Sequence, residues 1–341
     1  MIRFDSDYTE GCIPEILTAL TNSNDEQTIG YGKDDHCLNA AKLIKQAIKH
    51  DDADIHFMVG GTQTNIAVIT AILKHHQGAI SAESGHINAH ETGALEAVGH
   101  KCLTLPTSNG KITAEQVDTL IQNHYNGASA EHTVQPGIVY ISFPTESGTL
   151  YSKQELTELY AVCQTHNIPL FIDGARLGYG LIAKNNDVTF EDIANLCDVF
   201  YIGGTKVGAL FGECIVILND LYKKDFRYSI KQHGGMLAKG RMLGIQFEEL
   251  FKDNRYLTIS KHAIDMADIL TEGFQSKGYS FFFPAETNQL FPIFENTKLE
   301  ELSQEFAFTP WIKIDETHTA VRFVTSFATK RKNVEYLLTK I

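Results

Sequence analysis

No two of the six cysteines, Cys12, Cys37, Cys102, Cys163, Cys197 and Cys214, stand in a Cys-x-x-Cys arrangement. The pattern therefore offers neither a zinc site nor a redox pair, and the thiols read as reduced and mostly buried. Long apolar runs are missing as well: Ile168-Pro-Leu-Phe-Ile172, among the most apolar stretches, is far too short to cross a bilayer. Neither terminus shows a charged start followed by an apolar segment, so a cytoplasmic protein is expected. Positive charge is in deficit, with 29 Lys plus Arg against 42 Asp plus Glu and a net charge of -13. With no segregated basic face, this balance argues against a nucleic-acid or membrane partner. There is no low-complexity tract, no repeat at a solenoid period, and no G-x-x-x-x-G-K-[ST] phosphate loop.

What the chain has is alternation. From about residue 36, helical stretches alternate with short apolar runs bounded by Gly, Pro or Asp, the pattern of a largely parallel sheet with crossover helices. Seven strands are expected at 55–59, 79–82, 101–105, 137–143, 169–173, 198–202 and 214–218, with helices at 62–74, 114–124, 153–166 and 190–196. Thr113 is placed to cap one of them, with Glu115 near the positive end of its dipole. After about residue 219 the pattern changes to long helices at 237–250 and 256–277, short strands near 289–294, 309–314 and 320–325, and a last helix from about 330. At 341 residues the chain exceeds what one core holds, roughly 250 to 300 residues. We therefore expect a large α/β unit over 1–246, including the N-terminal segment, and a small α+β unit over 247–341.

Four segments carry chemistry. In Phe171-Ile-Asp-Gly-Ala-Arg176 an apolar strand ends in Asp173, which places a carboxylate at the carboxyl edge of the sheet, where open α/β folds bind ligands. Asp173 either caps the next helix or meets a cation, such as a protonated ring nitrogen of a ligand. In Val199-Phe-Tyr-Ile-Gly-Gly-Thr-Lys206 a second strand delivers a lysine into a glycine-rich turn, where it is either an ordinary surface lysine or a desolvated one able to lose its proton and form an imine. Gly60-Gly-Thr-Gln-Thr-Asn65 opens a helix after an apolar run. It is either a plain helix start or a phosphate site made of free N–H groups and the Thr62 hydroxyl. In Glu83-Ser-Gly-His86-Ile-Asn-Ala-His90-Glu91, His86 and His90 at i and i+4 could share a metal, or an imidazole beyond a strand end could stack on a planar cofactor.

Read in order, these pieces resemble the low-specificity L-threonine aldolases, within the aromatic amino acid beta-eliminating lyase and threonine aldolase group of pyridoxal-phosphate (PLP) enzymes of fold type I. The resemblance runs from Phe4-Asp-Ser-Asp7 through Tyr31-Gly-Lys-Asp-Asp35, Gly61-Thr-Gln-Thr-Asn65, His86, Asp173-Gly-Ala-Arg176 and Thr205-Lys206 to Ala320-Val-Arg322-Phe-Val-Thr325. It implies PLP on Lys206, with Thr205 beside it, Asp173 at the pyridine nitrogen, His86 stacked on the ring, and Gly61, Thr62 and Gln63 at the phosphate. It also implies that Arg322, with Ser6 and Arg176, binds the substrate α-carboxylate, for which a bidentate guanidinium is well shaped. The implied reaction cleaves threonine or allo-threonine to glycine and an aldehyde in a homo-oligomer, a dimer or tetramer.

Two departures stand out. In Ile141-Ser-Phe-Pro-Thr-Glu146-Ser-Gly148, Glu146 takes the place of an active-site histidine, and a buried carboxylate could serve as the base. In Gly234-Gly-Met-Leu237, Leu237 stands where the resembled family usually has an arginine that reaches a neighbour's phosphate, with Lys231, Lys239 or Arg241 as the candidate substitute. The alternatives are a β-eliminating lyase or phenylserine-type aldolase on the same scaffold, a metal-dependent enzyme using His86 and His90, and a binding protein that has lost catalysis. The joint presence of Lys206, Asp173 and Arg322 argues against the last.

Overall fold

In the computed structural model, which describes residues 1–341, the short strand β1 (Ile2–Arg3) stands apart from seven strands that build the main sheet. These are β2 (Asp54–Met58), β3 (Gln77–Ala82), β4 (Cys102–Leu105), β5 (Gln135–Ser142), β6 (Leu170–Asp173), β7 (Val199–Gly203) and β8 (Glu213–Ile217). Their order is β2-β8-β7-β6-β5-β3-β4, and every neighbouring pair is parallel except the two made by β8. The expected seven-stranded, mostly parallel sheet is present, with strand ends shifted by one or two residues.

The strands are apolar without a break because both faces of the sheet are covered. Along β5, Ile138 and Tyr140 enter one core while Val139 and Ile141 enter the other, and along β7 Val199 and Tyr201 separate from Phe200 and Ile202 in the same way. This is the two-residue period of a strand expressed in packing. Helices Ala114–Asn126, Lys153–Thr165 and Phe190–Asn195 flank the sheet. Each starts at a reciprocal capping box, formed by Thr113 with Gln116, Ser152 with Glu155 and Thr189 with Asp192.

Several helices escaped the sequence pattern, among them Pro14–Asn22 and Asp35–Ile48, although each of these carries a start signal: Pro at the first position, and Asp34 accepting from the Cys37 N–H. Helix Asp35–Ile48 lies against helix Arg241–Phe251 at very close range, because a Cβ on Gly244 would stand 2.5 Å from Cys37 Sγ. The helix expected from residue 237 begins only at Arg241, after a turn in which Gly234 has φ +73°.

The expected division after residue 246 lies within that helix, whose Phe247 and Leu250 belong to the large core. The chain turns instead through Asp253 and Asn254, both at positive φ, into the long helix Arg255–Ser276. Beyond it lie β9 (Gln289–Leu290), β10 (Ile293–Glu295), β11 (Phe306–Ala307), β12 (Thr309–Lys313) and β13 (His318–Val324), with β13 at the centre of a small antiparallel sheet. Strand β1 pairs with β11, and Phe4 packs with Phe274, Phe294 and Phe323. These first residues thus pack against the C-terminal sheet.

The topology gathers one edge. β2, β3, β5, β6 and β7 all end on the same side of the sheet, followed by Gly60, His86, Glu146, Asp173 and Lys206 in turn, and antiparallel β8 begins there with Glu213. This is the edge at which a parallel sheet binds its ligand.

Candidate active site

Asp173 is the last residue of β6 and is buried. One of its oxygens accepts from the Tyr140 hydroxyl at 2.5 Å and Asn65 Nδ2 at 3.4 Å, and the other from the Ala175 N–H at 3.0 Å. It does not cap the helix Leu177–Ile182, which starts at Arg176 without a side-chain cap. Gly174 is required where it stands, since a Cβ there would lie 1.9 Å from the Tyr201 carbonyl oxygen.

Lys206 sits in a turn closed by hydrogen bonds from the Gly204 and Thr205 N–H groups to the Gly212 carbonyl, at 2.9 and 3.0 Å. The Tyr179 hydroxyl donates to the Lys206 carbonyl at 2.5 Å. Burial, aided by the nearby Arg176 charge, pulls the ammonium pKa down. A lysine that surrenders its proton more readily is the better nucleophile. Beside it stands Glu213, a carboxyl that went unnoticed in the sequence and that burial pushes up. Glu213 accepts from the Thr205 hydroxyl at 2.9 Å and the Gly204 N–H at 3.1 Å, so the Thr205 hydroxyl is already engaged within the protein.

The helix Gly61–Ile72 begins at Gly60 with no side-chain cap, which leaves the first-turn N–H groups without protein partners at the cavity. A Cβ on Gly60 would meet nothing within 4 Å, so the glycine widens a cradle beside Thr62. The Gln63 side chain is not part of it: it accepts from the Val59 N–H and donates to the His233 carbonyl, at 3.2 and 3.0 Å. Only the Gln63 backbone is available there, because the third residue of the helix points its side chain back along the preceding strand.

His86 and Glu146 face each other. Glu146 Oε1 accepts from the His86 N–H at 3.0 Å and from Ser142 Oγ at 2.6 Å, and burial raises its pKa. His86 Nδ1 lies 2.8 Å from Glu91, a buried residue whose same oxygen also accepts from Asn65 Nδ2 at 2.7 Å. Burial opposes the imidazolium, but the Glu91 hydrogen bond and the Asp173 charge outweigh it and raise the His86 pKa. His90 lies beside His86, with ring centroids 5.7 Å apart, yet burial and the charges of His86, Arg322, Lys206 and Arg176 lower its pKa. No three His, Cys, Asp or Glu side chains converge on a place that could hold a metal ion.

The two arginines differ. Arg176 lines the cavity but is paired with buried Asp7, Nε to Oδ2 at 2.7 Å and NH2 to Oδ1 at 3.1 Å. Arg322 is held only by neutral acceptors, Gln289 Oε1 at 3.4 Å and the Asp5 carbonyl at 3.2 Å, and its buried Nε has no partner. Arg322 is thus the guanidinium left with unneutralised charge. Ser6 is elsewhere, in a cleft with Thr9, Thr329 and Asn333, because alternation along the segment turns Asp7 and not Ser6 toward Arg176. Tyr8 of the same segment does line the cavity.

Of the substitutes for an arginine at position 237, Arg241 is tied to the Glu26 and Asn24 carbonyls, Lys231 lies over the Tyr31 ring at 5.3 Å, and Lys239 is exposed.

The cavity at this edge is about 360 Å³ and is lined by Gly60, Gly61, Thr62, His86, Glu146, Asp173, Arg176, Thr205, Lys206 and Glu213, among others. A larger cleft of about 490 Å³ beside Thr107 offers no comparable chemistry, since its Lys111 is neutralised by Glu155 at 2.6 Å. The first cavity fits PLP in each part: an uncapped helix start for a phosphate, a buried carboxylate for a ring nitrogen, an imidazole between them and a desolvated lysine.

Comparison with known proteins agrees. The beta-eliminating lyase family matches residues 4–297. Low specificity L-threonine aldolases of Pseudomonas aeruginosa and of a Pseudomonas sp. are each 28% identical, over 88% and 99% of this chain and 86% and 96% of theirs. The structure of Leishmania major threonine aldolase superposes with a TM-score of 0.96 at 43% identity, covering 99% of this chain and 98% of that one. Aspartate aminotransferase of Thermus thermophilus, at 14% identity, shares the fold alone, with a TM-score of 0.72 over 100% of this chain and 90% of that one. With a fold type I architecture and a site built for PLP, the chain belongs to the beta-eliminating lyase family.

Proposed function

We propose that this enzyme cleaves L-threonine, L-allo-threonine and related β-hydroxy-α-amino acids to glycine and an aldehyde, with PLP carried by Lys206. The observation that carries this reading is the meeting, in one cavity, of a desolvated lysine, a buried acceptor at Asp173 and a second carboxyl, Glu146, positioned against His86. The relatives named above as threonine aldolases support it.

When bound, PLP supplies an electron sink for the electrons of the bond broken at Cα. The protein supplies the rest. Lys206 would hold the cofactor, Asp173 would serve its ring nitrogen, His86 its ring face, and Thr62 with the first-turn N–H groups its phosphate. Arg322 binds the substrate carboxylate, and Glu146, once ionised, takes the proton of the β-hydroxyl as the aldehyde leaves. Ser142 and the His86 N–H keep that carboxylate aimed.

We also place the enzyme in the cytoplasm as a homo-oligomer, a dimer or tetramer. No helix is long and apolar enough to cross a membrane, and exposed Tyr8, Ile29, Tyr31 and Leu210 are large apolar side chains that a second copy would cover. For the boundary between the two units we propose the turn at Asp253 and Asn254, both at positive φ before the long helix. Borohydride reduction of the coloured protein followed by peptide mapping should fix the label on Lys206, and product analysis should give glycine and aldehyde. Ammonia with a keto acid would assign it to β-elimination instead, and a protein that stays colourless with added PLP would sink the proposal.

A further inference from the structure

Arg322 carries its charge with no carboxylate partner, and two long neutral hydrogen bonds are weak restraints on a side chain with several rotatable bonds. Something else has to hold it. Trp311, the only tryptophan in the chain, does so from the side: the Arg322 guanidinium carbon lies 5.6 Å from its ring centroid, within the range of a cation–π contact.

The backbone has a device for this placement. Between β12 and β13 the register passes from Pro310 opposite Val321 to Ile312 opposite Ala320, so that Trp311 is the extra residue of a bulge and has no cross-strand partner. Bulges re-aim a side chain. Phe291, fully buried, then braces the indole edge-on at 5.0 Å and is itself braced by Phe283 at 5.1 Å. Trp311 is only half-buried, so the filling of a core does not account for its size.

The choice of an aromatic has a chemical reason. Arg176 shows the alternative, a guanidinium held by Asp7 and thereby neutralised. A carboxylate on Arg322 would compete with the substrate carboxylate for the same N–H groups, whereas a π face attracts the cation and leaves its N–H edge free for a bidentate acid. We infer that Trp311 is a positioning residue that holds Arg322 for the substrate α-carboxylate. This rests on the role proposed above for Arg322.

The test combines kinetics and fluorescence on the PLP-loaded enzyme. W311F, which keeps a π face, should stay within about threefold of wild type in KM for L-threonine, while W311L should raise KM roughly three- to thirtyfold with kcat changed by less than about twofold. Glycine titration should shift the Trp311 emission saturably in wild type and not in R322L. That titration needs no Trp311 variant and decides the matter if W311L does not fold. Emission unmoved by saturating glycine, or a W311L KM within about twofold of wild type while that of R322L rises more than about tenfold, would overturn the inference and leave the carboxylate role of Arg322 standing. An R322L enzyme with unchanged KM would remove that role and the inference together.

Discussion

Asp7 and Arg176, 169 residues apart, are joined by two hydrogen bonds between a fully buried carboxylate and the guanidinium that walls the cavity. Asn288 of the C-terminal unit also donates to Asp7, at 3.0 Å, so this carboxylate ties together the N-terminal segment, the large sheet and the small unit. Burial opposes its charge, but Arg176 and Lys206 outweigh that and hold its pKa below the usual value.

Replacing Asp7 by Asn should therefore leave a buried guanidinium unpaired and cost about 3 to 5 kcal/mol of stability. Urea unfolding followed by circular dichroism measures it. A midpoint unchanged from wild type would show that the pair contributes nothing net.

K206A should fold and should resist borohydride labelling, with aldolase turnover reduced at least about a thousandfold. The labelling yield separates this from a mere loss of activity. A normally labelled K206A protein would mean that the nucleophile lies elsewhere.

Glu146 must be ionised to act as a base, so activity should fall as the pH drops through its pKa, and burial moves that limb up from the ordinary carboxylate range. E146Q should lower kcat roughly a hundred- to ten-thousandfold and abolish the limb. A pH profile of E146Q that keeps the acidic limb at wild-type height would assign the base to another group.

Glu91 is the partner that raises the proton affinity of His86. In E91Q the His86 imidazole should titrate at lower pH, which NMR of the ring protons reads directly. E91A, which also strands Asn65, should cost about 1 to 3 kcal/mol. If the His86 titration in E91Q does not move, Glu91 is only a packing group.

His56 gives a pH dependence unrelated to catalysis. Burial, with the Arg227 charge, lowers its pKa to about 4, and its Nε2 is buried without a partner. Between its unfolded value near 6.5 and about 4, the unfolded chain binds a proton that the folded chain does not, so stability falls as the pH falls through that window, by up to about 3 kcal/mol. Between pH 6.5 and about 4 the melting temperature of wild type should fall more steeply with falling pH than that of H56F. Parallel slopes for the two proteins would refute it.

The sequence by itself determined the sheet and the order of its chemistry. Uninterrupted apolar strands such as Ile138–Ile141 require cover on both faces, and a strand that ends in Asp173 or runs into Gly203-Gly204 before Lys206 puts those groups at the carboxyl edge whatever the loops do. Those signals are local, set by side-chain period and by residues that can or cannot continue a strand. Only the tertiary structure decided which neighbours complete them. Ser6 and Asp7 are adjacent in the chain, and it is the pairing of β1 with β11 that turns Asp7 toward Arg176. Gln63 lies in the phosphate motif, but the return of His233 claims its side chain. No role was read for Glu91, Glu213 or Trp311 in the sequence, and theirs arise from a turn, an interior antiparallel strand and a bulge that bring them to His86, Lys206 and Arg322. Such encounters follow from how turns, strands and bulges place side chains in space, which local pattern does not encode.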